Sequence, residues 1–144
     1  RRAAQTPAMI APPALERTLV RRRVVRAAAA TLALGCAVVY FLIGFGPIYP
    51  AGKGDAGFML AFGLSAGAAF ALGALLLAAF DRAWLWLLGA AFQLAVIAAY
   101  FQVAPNRTPP YEAWGLGLKA AQAVLLGLLA WLAATGTRLR ARSA

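Results

Sequence analysis

Lys119 and Gln122 stand three residues apart inside a long apolar run, where an amine and a carboxamide are out of place. Residues at that spacing share one face of a helix. Gln93 and Ser65 fall at matching depth in two other apolar runs. Such a set offers hydrogen bonding rather than bond-making chemistry. It can pin helices together, or it can receive an anionic or polar solute. A charged amine costs at least about 2.5 kcal/mol at the centre of a membrane helix and less toward the interface. Lys119 can lower that cost in two ways. It can snorkel outward past Gly115 toward Glu112, two turns above on the same face, or it can pair with Gln93, Gln122 or a group on another protein. The outward route is the expectation.

Little else could react. His is absent, Cys36 is the sole cysteine, and Met9 and Met59 are the only thioethers. An intrachain disulfide is therefore impossible, and haem or zinc ligation has few candidates. The four acidic residues, Glu16, Asp55, Asp81 and Glu112, all fall outside the interiors of the apolar runs. Cys36 is flanked by apolar residues and is expected to pack rather than to attack a substrate. Gly52-Lys53-Gly54 lacks the surroundings of a phosphate loop. The expectation is a non-enzyme with no catalytic residue, no cofactor and no metal site.

The elements that must position these groups are four apolar runs, at 27–46, 56–80, 83–103 and 113–135. About 20 helical residues cross a ~30 Å hydrocarbon core, and each run reaches that length. The chain is 63% apolar, where a soluble domain is nearer half. The fold expected is all-α: an integral membrane four-helix bundle with antiparallel up-down topology. Residues 1–26 form a basic arm, possible in part as an interfacial helix from Pro13, and residues 136–144 form a basic tail. Run one ends in Gly46-Pro47 rather than a small-x-small cleavage site, so a retained signal-anchor helix is expected. The chain begins with Arg1, which leaves its native start open.

The net charge of +10 does not point to nucleic acid, because the cations flank apolar spans instead of decorating a soluble face. Seven arginines precede run one, Arg82 lies between runs two and three, and Arg138, Arg140 and Arg142 follow run four. These eleven fall on one side if every run spans, against Lys53 and Arg107 on the other. That asymmetry predicts both termini on the cytoplasmic side of a bacterial inner membrane. Arg21, Arg22, Arg23, Arg26, Arg82, Arg138 and Arg140 are expected to contact anionic lipid. Trp84, Trp86 and Trp131 near the inner boundary, with Tyr49, Phe58, Tyr111 and Trp114 near the outer one, fit two aromatic belts.

Turn chemistry frames the runs. Pro47, Pro50, Gly52 and Gly54 mark 47–55 as a loop. Asp81 is placed to cap run three, and Thr108 to cap run four with Pro109 at its first position. Membrane helices associate through close packing, so small residues mark contact faces. Gly63 and Gly67 form such a row, as do Ala91, Ala95 and Ala99, and Ala123 with Gly127. The functional expectation is an accessory or structural subunit of a larger membrane complex, contacting lipids and other membrane subunits. The alternative is a small oligomeric transporter or channel built around Lys119, Gln93 and Gln122.

Overall fold

The computed structural model describes residues 13–46, 56–106 and 110–141. Expectations for the arm 1–12, the loop 47–55 with Lys53 and Tyr49, Arg107 and Arg142 lie outside the described residues; the expected helix start at Pro109 with a Thr108 cap is not formed, because Pro110 and Tyr111 make a turn and the helix begins at Ala113. Those described form four α-helices with no strand: α1 (Pro13–Gly44), α2 (Ala56–Ala79), α3 (Ala83–Val103) and α4 (Ala113–Ala141). A single 3₁₀ turn, Ala104–Asn106, follows α3. All four α-helices are long and apolar enough to cross a membrane.

Two helices exceed the apolar runs that nucleate them. α1 is continuous from Pro13, with no break between basic arm and span. Pro suits the first turn, and the arginine-rich stretch that follows consists mostly of good helix formers. α4 likewise carries its backbone through Arg138 and Arg140 to Ala141. The side chains of those two arginines lie outside the described set.

The ends are set by local chemistry. Gly46 takes φ 89° just beyond α1, and a left-handed glycine there stops a helix. The Gly46 N–H donates to the Ile43 carbonyl at 3.3 Å. Arg82 occupies the cap position of α3 in extended geometry and makes no side-chain cap bond. Asp81 does not cap α3; its carboxylate is held by α1. Glu112 immediately precedes α4, and its carbonyl accepts the Leu116 N–H at 3.0 Å.

α1 is the central element. It packs against α2 and α4, α3 packs against α4, and α2 and α3 barely touch despite their short connection. Buried positions recur along α3 at Trp86, Gln93 and Tyr100, the seven-residue spacing of a helix seam. On α1 the core positions are Ala29, Ala33, Cys36, Ala37 and Tyr40; α4 supplies Leu125, Leu129 and Leu132. The small α1 residues let its neighbours approach.

Gly63 and Gly67 face α1, within the chain. A side chain at Gly63 would collide with the Gly44 backbone and come within 2.7 Å of the Tyr40 carbonyl oxygen, and one at Gly67 would meet the Phe41 ring at 2.8 Å. The other small-residue rows behave differently. Ala91, Ala95, Ala99, Ala123 and Gly127 are exposed, so they do not hold the described bundle together. Outward leucines such as Leu75, Leu87 and Leu94 complete an apolar exterior that suits hydrocarbon surroundings.

Candidate functional site

The polar groups fall into two bonded clusters near opposite ends of the bundle. Lys119 and Gln122 project from one face of α4 toward Tyr40 of α1. The Lys119 amine donates to the Tyr40 hydroxyl oxygen at 3.0 Å and to Gln122 Oε1 at 2.5 Å. Gln122 Nε2 donates to the same Tyr40 oxygen at 3.1 Å. The ammonium also lies 5.2 Å from the Tyr100 ring centre and 5.7 Å from that of Tyr40, within reach of cation–π attraction.

Lys119 therefore turns inward and is only 7% exposed. The outward route past Gly115 is not taken, because Tyr100 fills that space. A Cβ at Gly115 would lie 2.6 Å from the Tyr100 ring. Tyr40 is itself fixed by a stack on Phe70, with ring centres 5.3 Å apart, and by an edge contact with Phe62. Phe70 in turn meets Phe92 of α3. Aromatic packing on three helices thus positions the oxygen that receives the amine.

The expected single cluster is divided. Gln93 is buried at 3% exposure, but its Oε1 accepts no hydrogen bond. Ser65 is exposed, and its hydroxyl donates back to the Phe62 carbonyl at 3.1 Å. Such a bond satisfies a hydroxyl within its own helix.

The second cluster ties three elements at the arginine-rich end. Arg22, 5% exposed, donates through Nε and Nη2 to the two Asp81 oxygens at 3.0 and 2.6 Å. Its Nη1 donates to the Leu132 carbonyl at 2.8 Å and to Thr135 Oγ1 at 2.6 Å. A forked guanidinium suits this bidentate task. Gly136 leaves room for it, since a Cβ there would stand 2.9 Å from Nη2. Arg26 donates to the Leu77 and Ala78 carbonyls at 3.1 and 2.8 Å, satisfying the end of α2 where a cation is favoured. It also lies 3.6 Å from Asp81.

Hydrogen bonding from Arg22, with the positive charge of Arg22 and Arg26, holds the Asp81 carboxyl below the usual carboxylate range against partial burial. The Trp86 indole N–H lies beside the same carboxylate without completing a hydrogen bond.

Arg22 and Arg26 thus differ from the lipid-facing role expected for them. Arg21 lies 5.3 Å from the Trp131 ring centre; Arg21, Arg23 and Arg82 are exposed. Trp86 departs from the aromatic belt and is fully buried, while Trp84 and Trp114 are exposed.

Cys36 is buried in the core. Among the described residues, no three His, Cys, Asp or Glu side chains are grouped to share a metal ion. Sequence reasoning missed Tyr40 and Tyr100 as partners of Lys119, and Arg22 as partner of Asp81. Compared with family models, curated proteins and solved structures, the chain matches none.

Proposed function

We propose that this protein is a non-catalytic, multi-pass accessory subunit of a larger assembly in the bacterial inner membrane. Its helices cross up and down, with both tails cytoplasmic. The observation that carries this reading is the use made of the buried cations. Lys119 and Arg22 bond to side chains and carbonyls of this same chain, so they serve as interhelical ties. A solute site would need an accessible amine, and the closure around Lys119 weighs against transport.

Two further features support the reading. The outward rows Ala91–Ala95–Ala99 and Ala123–Gly127 allow a helix of another membrane subunit to approach closely. The exposed Arg21, Arg23 and Arg82 suit anionic headgroups on the cytoplasmic leaflet.

Purification of the tagged full chain from its native membrane in mild detergent tests the proposal. The expected result is elution with defined membrane proteins in a larger particle, disrupted by Ala95→Phe with helical content unchanged. A stable dimer of this chain alone, unaffected by Ala95→Phe, would contradict it.

A further inference from the structure

The parting of α2 from α3 leaves a groove of about 330 Å³. Phe70 and Gly73 line it from α2, Trp86, Phe92 and Gln93 from α3, and Leu129 from α4 behind. Leu72 and Leu88 also border it and are both more than half exposed, so it opens sideways into the bilayer. The volume is within the range of small-molecule sites.

One polar atom at mid-depth makes this groove more than a seam; the other unbonded one in its lining, Trp86 Nε1, lies beside Asp81. Gln93 is 3% exposed, and its Oε1 is an acceptor without a donor. Gln93 lies ten residues along α3 from Ala83, about 15 Å at 1.5 Å per residue. In a ~30 Å core that is the midplane, where water is lacking to satisfy it. Phospholipid headgroups stay at the interface, and acyl tails have no donor. A mostly hydrocarbon molecule with one hydroxyl can reach this depth and supply the missing hydrogen.

We propose that the groove binds a bilayer-soluble alcohol, one hydroxyl on a long hydrocarbon chain. Its O–H donates to Gln93 Oε1, and its hydrocarbon chain lies against Leu72, Leu88 and Phe92, the accessible walls of the groove. This assignment is independent of the accessory-subunit reading, since it rests on Gln93 and the groove alone.

Native mass spectrometry of the full chain in mild detergent tests it, with farnesol and farnesyl methyl ether as probes. The ether keeps the chain and loses the donor. Wild type is expected to retain one farnesol per chain. The ether should bind about three- to thirtyfold more weakly, the range of one membrane hydrogen bond. Gln93→Leu should weaken farnesol by the same factor and no longer distinguish the two probes. Gly73 has open space before it, so Gly73→Leu should plug the groove and abolish retention of both. If Gly73→Leu does not yield folded protein by circular dichroism, the wild-type probe pair and Gln93→Leu decide. The proposal is overturned if farnesol is not retained or if wild type holds alcohol and ether equally. Undiminished farnesol binding in Gln93→Leu or in folded Gly73→Leu would also overturn it.

Discussion

Tyr40 and Lys119 are 79 residues apart in sequence, yet the phenol oxygen of one lies 3.0 Å from the amine of the other inside the bundle. The pair joins α1 to α4, and Gln122 closes the triangle by bonding to both. A buried ammonium is costly, and an array of oxygen lone pairs and ring faces offsets that cost without requiring solvent. The sequence places Tyr40 four residues before the end of α1 and Lys119 six residues after the start of α4. Matching depth is thus built into both helices.

The close approach of α1 and α2 should be intolerant of bulk. Gly63→Val must push the Gly44 backbone away and should destabilise the protein by about 2–4 kcal/mol, or prevent folding. Gly127 meets open space, so Gly127→Val should cost no more than about 1 kcal/mol. Equilibrium unfolding in mixed detergent–SDS micelles, followed by far-ultraviolet circular dichroism, makes the comparison.

Acid should loosen the arginine-rich end. The Asp81 carboxyl is held below its ordinary value in the fold, so its ionised form is favoured there over the unfolded chain. The associated stability is fully present above the unfolded value of about 3.9. It is lost as pH falls through that value and then through the lower folded one. Asp81→Asn should reduce stability by about 1–3 kcal/mol at neutral pH, a figure discounted for the carboxylate's partial exposure. The variant should also show a shallower decline between about pH 5 and pH 2. Unfolding midpoints across that range, variant against wild type, provide the check.

Orientation can be read with single cysteines placed in a Cys36→Ala background. Arg17 and Trp114 are both exposed. In sealed inside-out inner-membrane vesicles, an impermeant maleimide should label Arg17→Cys and spare Trp114→Cys until detergent is added. Labelling of Trp114→Cys in intact vesicles, with Arg17→Cys spared, would reverse the positive-inside assignment.

Hydropathy and length located all four α-helices, because each run is long and apolar enough to cross a bilayer. The limits of α1 and α4 were less legible. Arginine favours helix as well as water, so loss of hydropathy at Arg26 and beyond Thr135 did not end either helix. Within the site, the depth of Gln122 and Lys119 followed from their position in an apolar run, but the inward turn of Lys119 and its partner did not. Tyr40 resembles an interfacial aromatic, and only the depth match with Lys119 could have singled it out.

Asp81 was similarly ambiguous. A carboxylate before a helix reads as a cap, and the Arg22 guanidinium that claims it lies 59 residues away. The outward placement of Ala91, Ala95 and Ala99 depends on the seam at Trp86, Gln93 and Tyr100. A row of small residues alone does not say which face of a membrane helix meets a neighbour.

The claim on which the rest depends is that Lys119 is an interhelical tie. A double-mutant cycle of Tyr40→Phe and Lys119→Met, read as unfolding free energy in mixed micelles, tests it most directly. Tyr40→Phe should be costly when Lys119 is present and much less so in the Lys119→Met background, giving a coupling of about 1–2 kcal/mol. Strictly additive effects would mean that the two residues do not support each other, and the structural role assigned to the deep cation would fail.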